Sequence, residues 1–324
     1  MKNLIDRVRG KTVDNPSGRM VIATSCDEGY FPLVKGLLLS MLNGTPLPDT
    51  VEPVFLDLGC SADSLAWLAT HGVRCIALDE TVLDELGRQK YGYHRAQICR
   101  PFLPRLFPDA DVLAWIDCDT WVQDTSIFDT LRREALDHRN CVLACPEIHY
   151  TYTPLNADPD GRRVELKSYY EGLYGRALAE AMSILPTTNS GFFAMHRDNT
   201  LWLRWQKEIL SIYRDNFDRH DAITRHFGEQ MALNKLIHDG APVRYFDPLY
   251  NYLCLWTKPF RDEDGVVRLS APPYLPLGVL HLAGGWKYFG QAYYDSGLLY
   301  RRGDYLSERD RAILFPQTLS QGFR

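Results

Sequence analysis

Residues 112–122, VLAWIDCDTWV, place five apolar residues directly before two aspartates that stand one residue apart. An apolar run without polar alternation predicts a strand that is covered on both faces of a sheet. In an open α/β sheet, ligands bind outside the carboxyl ends of the strands. Two carboxylates at such an end repel each other and are costly to desolvate unless a cation offsets their charge. The stretch therefore points to a buried strand that ends at a cation site formed by Asp117 and Asp119.

The aspartate pair alone leaves a second interpretation open, in which Asp117 caps the next helix and Asp119 faces water. The chain has three other Asp-x-Asp triplets, at residues 109–111, 158–160 and 262–264, and all three lie in polar, turn-like sequence. Only the pair after residue 116 directly follows a run that predicts a buried strand. Hard oxygen ligands of this kind favour Mg²⁺ or Mn²⁺, which typically bridge to phosphate oxygens.

The surrounding chain alternates between predicted strands and helices. Apolar runs at residues 19–25, 51–59 and 73–78 predict strands, and helical patterns at residues 30–44 and 61–72 lie between them. The alternation continues with helices over residues 94–107 and 228–240. We therefore predict an α/β fold: one Rossmann-like domain with a mostly parallel central sheet flanked by helices.

The predicted domain covers residues 19–291, between an irregular arm at 1–18 and a C-terminal extension at 292–324. Residues 147–188 are polar and rich in tyrosine, and they interrupt the alternation. An excursion of this kind from an α/β core is usually a binding loop or lid. We expect this segment to lie on the acceptor side of the site.

Composition narrows the class of protein. The 324 residues carry a net charge of −5, which argues against a nucleic acid partner held by bulk charge. The sequence has no apolar stretch of spanning length, and its first residues lack the apolar core of a signal peptide. Eight cysteines without a CxxC pair favour reduced thiols, and hence a cytoplasmic protein. The arginine-rich tail leaves open peripheral contact with the inner face of a membrane.

Five segments occur in a definite order: CRPFLPRLFPDADVLAWIDCDTWV (99–122), TTNSGFFAMH (187–196), GEQMALNKL (228–236), YFDPLYNYL (245–253) and HLAGGWKYF (281–289). In this order and spacing the chain resembles glycosyltransferase family 8, whose members have the GT-A fold. The resemblance implies a metal-dependent enzyme that transfers a sugar, expected to be a hexose, from a nucleotide-sugar with retention of configuration. UDP-sugar is the favoured donor, and the acceptor is a hydroxyl of a saccharide, a protein or a lipid-linked glycan.

The resemblance also implies a role for each matching position. Asp117, Asp119 and His281 would hold Mn²⁺, with Mg²⁺ as the second candidate. Lys287 would contact the diphosphate, which Gly284 lets the backbone approach. Arg100 would clamp the donor sugar or phosphate. The expected catalytic set is Gln230, Asp119 and Arg100.

The remaining predicted residues would contact the donor. The first strand and turn would meet the nucleotide through Ala23, Thr24, Asp27 and Tyr30, although Tyr30 is equally compatible with packing in the core. The transferred sugar would face Asn189, Ser190, Gly191 and Glu229. Gln230 would lie beneath the anomeric carbon, and Glu229 stands where the family usually has aspartate. Gln230 and Asn234 share an apolar helical face, so an internal hydrogen-bond network is the alternative to sugar contact.

The sequence places no obvious carboxylate nucleophile, which favours a front-face mechanism over double displacement. Three other classes of protein share parts of this pattern. A nucleotidyltransferase should carry a glycine-rich N-terminal loop, and IATSCDEGY (22–30) is none. A haloacid dehalogenase-type phosphohydrolase needs Thr or Val where Trp121 stands. A nucleotide-sugar-binding module without turnover and a nucleotidyltransferase-type enzyme remain the two alternatives.

Overall fold

A seven-stranded sheet forms the centre of the molecule in a computed structural model that describes residues 18–42, 46–78, 92–152, 156–257 and 259–283. The strands of the described residues, in this sheet and in two smaller ones, are β1 (Met20–Cys26), β2 (Val51–Asp57), β3 (Arg74–Ala77), β4 (Val112–Ile116), β5 (Thr120–Val122), β6 (Val142–Pro146), β7 (Thr188–His196), β8 (Val243–Tyr245), β9 (Tyr252–Leu253), β10 (Phe260–Arg261), β11 (Val267–Arg268) and β12 (Val279–His281). The helices are α1 (Phe31–Leu42), α2 (Ala62–Thr70), α3 (His94–Ile98), α4 (Leu103–Leu106), α5 (Ser126–Asp137), α6 (Pro159–Tyr174), α7 (Arg176–Met182), α8 (Leu201–Ile209) and α9 (Ala222–His238).

The strand order of the large sheet is β3-β2-β1-β4-β7-β6-β8. The first four of these strands are parallel, β7 is antiparallel to both β4 and β6, and β8 is parallel to β6. The predicted α/β fold with a mostly parallel sheet is therefore confirmed, with β7 as the antiparallel exception. The carboxyl ends of β1, β2 and β4 meet at one edge, as the site prediction requires.

Helices cover both faces of this sheet, which explains why its strands are apolar without alternation. In β1 the side chains of Val21 and Ala23 belong to the core cluster that contains α8 and α9. Those of Met20 and Ile22 belong to the cluster on the opposite face, which contains residues of α1 and α5. Every residue of β1 and of β4 is buried as a result.

Two helices differ from their predicted extent. Residues 94–107 form α3, a 3₁₀ turn (Arg100–Phe102) and α4 instead of one helix. Proline has no N–H to donate within a helix and clashes with the preceding turn, and both Pro101 and Pro104 fall in this segment. The predicted helix at 228–240 begins earlier, at Ala222, because Asp221 caps it by accepting a hydrogen bond from the Thr224 N–H at 2.7 Å.

A second, three-stranded sheet has the order β5-β12-β9. Strand β12 is antiparallel to β5, and the pairing sets His281 opposite Thr120. Since Thr120 follows Asp119 directly, this small sheet brings His281 to the end of β4. None of the described helices has both the length and the apolar character needed to cross a bilayer. The predicted arm, apart from its last residue, and the C-terminal extension lie outside the described residues.

Candidate active site

The predicted metal ligands come together at the carboxyl end of β4. Ligand atoms of Asp117, Asp119 and His281 all lie within 4.8 Å of one another. The His281 Nε2 atom is 3.3 Å from Asp119 Oδ1 and 3.8 Å from Asp117 Oδ2. Asp119 and His281 are buried, and Asp117 is partly exposed to the cleft above. Two carboxylates and an imidazole in one small space are a donor set for a hard or borderline divalent cation.

The backbone of β7 passes close to the side chains of this cluster. Strand β7 passes next to it at Gly191, whose carbonyl accepts a hydrogen bond from the Asp117 N–H at 2.7 Å. A Cβ atom at position 191 would lie 2.5 Å from Asp117 Oδ2 and 2.6 Å from His281 Cε1. Any larger residue at position 191 would therefore collide with Asp117 and His281, so this position requires glycine. The contact of Gly191 with the transferred sugar, which the resemblance implies, stays a prediction.

One oxygen of Asp117 is held in place by neighbouring donors. Asp117 Oδ1 accepts hydrogen bonds from Arg100 and from the Trp115 indole N–H, the latter at 2.7 Å. The guanidinium of Arg100 also lies 4.9 Å from the centre of the Trp115 ring. Because these donors occupy Oδ1, it is Oδ2 that faces His281.

Arg100 also forms a buried ion pair with Glu229. The Arg100 NH1 group donates to Glu229 Oε2 at 2.6 Å and to Ser190 Oγ at 2.8 Å. Burial raises the pKa of Glu229 to about 7, although Arg100 and Ser190 act in the opposite direction. Among the described residues, the buried Arg100 Nε and Glu229 Oε1 atoms have no hydrogen-bond partner. Unsatisfied buried polar atoms beside a cleft are places where a ligand's hydroxyl or phosphate groups can bind.

A cleft of about 700 Å³ opens above these residues. Of the predicted site residues, it is lined by Asp27, Tyr30, Arg100, Asp117, Asp119, Asn189, Ser190, Glu229, Gln230 and His281. Ala23 and Thr24 are fully buried in β1 and do not line it, whereas the next residues of that strand, Ser25 and Cys26, do. Gly284 and Lys287 lie outside the described residues.

Asp27 orders the turn that follows β1 at the rim of the cleft. Its side chain caps a 3₁₀ turn (Glu28–Tyr30) by accepting a hydrogen bond from the Tyr30 N–H at 3.3 Å. Tyr30 is partly buried against the cluster around Cys26 and Phe31 and also lines the cleft. Both interpretations of Tyr30, as core packing and as a surface for a base, are thus compatible with its position.

Glu147 is a site residue that the sequence reasoning missed. Its Oε1 atom accepts hydrogen bonds from the Asn189 and Gln230 side-chain amides at 2.9 and 3.0 Å. Its Oε2 atom accepts one from Arg162 at 2.7 Å. Glu147 directly follows β6, so the rule that marked Asp117, a carboxylate at the end of a buried strand, would have found it too.

Segment 147–188 supplies one wall of the cleft through α6. Arg162 on this helix pairs with both Glu147 and Glu165, each at 2.7 Å, and its guanidinium lies 5.6 Å from the centre of the Trp256 ring. All four side chains line the cleft. The segment therefore borders the cleft, and its place on the acceptor side stays a prediction.

Asn251 is a second residue that the sequence reasoning left without a role, although it lies in one of the quoted segments. It is buried, and its Oδ1 atom is 2.9 Å from His281 Nδ1. Its side-chain N–H donates to Asn189 Oδ1 at 3.0 Å. The predicted internal network around Asn234 is also present, since its side chain bonds both backbone groups of Thr188.

Comparison with solved structures identifies the fold. A complex of galactosyltransferase LgtC with donor and acceptor sugar analogues is 16% identical and has a TM-score of 0.56, over 90% of this chain and 99% of that one. An active-site mutant of LgtC is 18% identical, with a TM-score of 0.51 over the same shares. Mouse xyloside xylosyltransferase 1 is 12% identical, with a TM-score of 0.45 over 83% of this chain and 97% of that one.

The predicted GT-A fold is confirmed by the LgtC structures, which match nearly the full length of both chains. At such low identity the likeness establishes the fold alone. No protein-family model matches the chain, and no curated protein matches its sequence. The activity therefore has to be argued from the site.

Proposed function

We propose that the protein is a metal-dependent glycosyltransferase that moves a sugar, expected to be a hexose, from a nucleotide-sugar to a hydroxyl acceptor with retention. The observation on which this rests is the cluster of Asp117, Asp119 and His281 at the floor of a large cleft in a GT-A fold. UDP-sugar is the favoured donor. Asp117, Asp119 and His281 would hold Mn²⁺, with Mg²⁺ as the alternative.

The chemistry of the cluster fits such a cation. The two carboxylates bring two negative charges to a confined space, and Arg100 already offsets Asp117 on its other oxygen. The bound ion would act as a Lewis acid that stabilises charge on the leaving diphosphate. Among the described residues the cleft has two cationic side chains in its wall, Arg100 and Arg162, and both are already paired with carboxylates. Charge neutralisation at the diphosphate would therefore depend on the ion and, as the resemblance implies, on Lys287.

The residues around Glu229 are suited to hold the donor sugar. The Glu229 Oε1 atom could accept a hydrogen bond from a sugar hydroxyl, and the Arg100 Nε–H could donate one, if a small side-chain movement opens these buried atoms to the cleft. Both atoms are buried, so each bond with the donor would satisfy a group that otherwise lacks a partner. Arg100 would thus act at once on Asp117, on Glu229 and on the sugar.

Gln230 and Glu147 are the two side chains to consider as nucleophiles for retention by double displacement. Gln230 is not ionisable and is a poor nucleophile. Glu147 is a carboxylate in the cleft, but both its oxygens are engaged, one by two amides and one by Arg162. A carboxylate whose two oxygens both accept hydrogen bonds is a weak nucleophile. These contacts support a front-face reaction, in which the departing phosphate accepts the proton of the incoming hydroxyl.

A panel of UDP-, GDP- and other nucleotide-sugars, each incubated with Mn²⁺, Mg²⁺ or a chelator, tests the proposal. We expect slow Mn²⁺-dependent release of nucleotide from one UDP-sugar. Asp119→Asn should abolish the release, and Asp109→Asn should leave it unchanged, because Asp109 is exposed and belongs to another Asp-x-Asp triplet. If no nucleotide is released from any donor of the panel, and UDP shows no Mn²⁺-dependent binding, the proposal is contradicted. The protein would then share the GT-A fold without this activity.

The stereochemical part has its own test once a donor and acceptor are found. NMR of the product should show the anomeric configuration of the donor, and an inverted product would refute the assignment. Mass spectrometry of the intact protein during turnover should show no sugar adduct. A covalent adduct on Glu147 would instead establish double displacement.

A further inference from the structure

A chain of hydrogen bonds leads from Glu147 through Asn189 and Asn251 to His281. Which group donates and which accepts in each bond is set at the Glu147 end. An ionised carboxylate can only accept hydrogen bonds, so the side-chain NH₂ group of Asn189 must face Glu147. The other end of that amide, Asn189 Oδ1, accepts from the Gly191 backbone N–H at 2.9 Å, a group that can only donate. Glu147 and Gly191 therefore demand the same orientation of Asn189.

This orientation is passed on to His281 through Asn251. Asn189 Oδ1 also accepts from the NH₂ group of Asn251, which turns Asn251 Oδ1 toward the imidazole. The facing atom, His281 Nδ1, lies 2.9 Å away and must carry the proton of this hydrogen bond. A neutral imidazole has one N–H, so its Nε2 atom then holds a lone pair. That lone pair faces Asp119 Oδ1 and Asp117 Oδ2.

We propose that Asn189 and Asn251 form a directed amide relay, anchored at Glu147 and the Gly191 N–H, that fixes the Nδ1–H tautomer of His281. The relay turns the Nε2 lone pair toward the two carboxylates and makes His281 ready to bind a metal. Asn251 is thus a positioning residue, and Asn189 has a role besides the sugar contact predicted for it. The proposal rests on the proposed metal site.

The opposite tautomer conflicts with the surroundings. An Nε2–H imidazole would need a donor from Asn251 at Nδ1, so both amides would have to rotate by half a turn. Asn189 would then present its oxygen to the Glu147 carboxylate and its NH₂ group to the Gly191 N–H. These are two buried mismatches, acceptor against acceptor and donor against donor, and Asn189 and Asn251 are only 8% and 1% exposed. The Nδ1–H tautomer has one mismatch, the Nε2 lone pair against Asp119 Oδ1 at 3.3 Å, and a bound cation would remove it.

The tautomer can be observed directly in the metal-free protein. Long-range ¹H–¹⁵N correlation spectra of ¹⁵N-histidine-labelled protein distinguish a protonated ring nitrogen from one with a lone pair. The spectra are recorded over a pH series that extends until the ring is neutral, because a doubly protonated ring carries a proton on both nitrogens. The signals of His281 are those lost in His281→Asn. We expect its proton on Nδ1, and a proton on Nε2 would overturn the proposal.

Two substitutions of Asn251 separate the relay from a general packing role. Asn251→Leu removes the acceptor for Nδ1–H and should shift the proton to Nε2, where Asp119 can accept it. Mn²⁺ affinity, measured by calorimetry without donor, should fall roughly tenfold, as for other partners of metal-bound histidines. Asn251→Asp can only accept, so it should keep the proton on Nδ1 and retain Mn²⁺ binding. Its second oxygen replaces the donor to Asn189 Oδ1, so the variant should also have a lower free energy of unfolding.

The outcomes separate this proposal from the proposed function. If Asn251→Leu keeps the Nδ1–H tautomer and the wild-type Mn²⁺ affinity, the relay is refuted. If the wild type has the Nδ1–H tautomer but binds no Mn²⁺, the relay is supported and the metal-dependent function is contradicted. If Asn251→Leu fails to fold, the tautomer of the wild type and of Asn251→Asp decides the proposal.

Discussion

The buried carboxyl group of Glu229 should make stability depend on pH in a defined direction. Glu229 is 1% exposed, and its pKa is raised from 4.5 to about 7 because burial outweighs the favourable effects of Arg100 and Ser190. A group whose pKa is higher in the folded state than in the unfolded state takes up a proton on folding. Its contribution to stability is fully present below about pH 4.5 and is lost as the pH rises through about 7.

The size of the effect follows from the shift. A difference of about 2.5 pKa units, at about 1.4 kcal/mol per unit, amounts to about 3 kcal/mol in the free energy of unfolding. The substitution Glu229→Gln keeps the shape and removes the titration. Arg100 retains Asp117 as a partner in this variant, so the loss of the ion pair adds an offset but little pH dependence of its own.

Urea denaturation of the wild type and of Glu229→Gln, at several values between about pH 5 and about pH 8, measures this contribution. The wild type should lose stability relative to the variant as the pH rises, by most of those 3 kcal/mol. Glu165→Gln is the matched control. Hydrogen bonds from Tyr169 and Arg162 lower the pKa of Glu165, so its contribution is lost only as the pH falls below about 4.5. A flat difference for Glu229→Gln, or one of opposite sign, would refute the reasoning.

Three further predictions concern the cleft. Gly191→Ala should weaken Mn²⁺ binding at least tenfold by calorimetry, because its Cβ would collide with Asp117 and His281, whereas Gly29→Ala, which meets only Asp27 at 3.4 Å, should bind normally. Arg100→Lys should lower the rate of nucleotide release by roughly 10²-fold, since an ammonium cannot bond Asp117, Glu229 and Ser190 in the same planar geometry; a rate equal to the wild type would contradict this. Arg162→Met should lower the free energy of unfolding by about 3 kcal/mol in urea titrations, because it leaves the buried Glu147 unpaired, and an unchanged midpoint would show that this pair contributes little.

The sequence predicted the large sheet well because its strands are buried on both faces. The apolar runs of β1 and β4 are a direct consequence of cover by helices on each side. The prediction of a single helix over residues 94–107 was wrong, because a 3₁₀ turn interrupts it where Pro101 and Pro104 fall. The mixed direction of β7 could not be read from its composition, because a strand buried on both faces looks the same in either direction.

The site was predictable in part, for identifiable reasons. Asp117 and Asp119 stood out because two carboxylates follow an apolar run. His281 lies far away in sequence and reaches them only through the pairing of β12 with β5, so only the family resemblance could place it. Glu147 went unnoticed because a single carboxylate after a strand is common. The relay through Asn251 depends on the direction of two amides, which exists only in three dimensions.

The central claim is that Asp117, Asp119 and His281 hold a divalent cation together with a nucleotide diphosphate. Crystals of the protein grown with Mn²⁺ and UDP, measured near the manganese absorption edge, test it most directly. We predict an anomalous scattering peak bounded by these three side chains, with the diphosphate oxygens completing its coordination. A well-ordered UDP with no peak between them, or with Mn²⁺ bound elsewhere, would contradict the account.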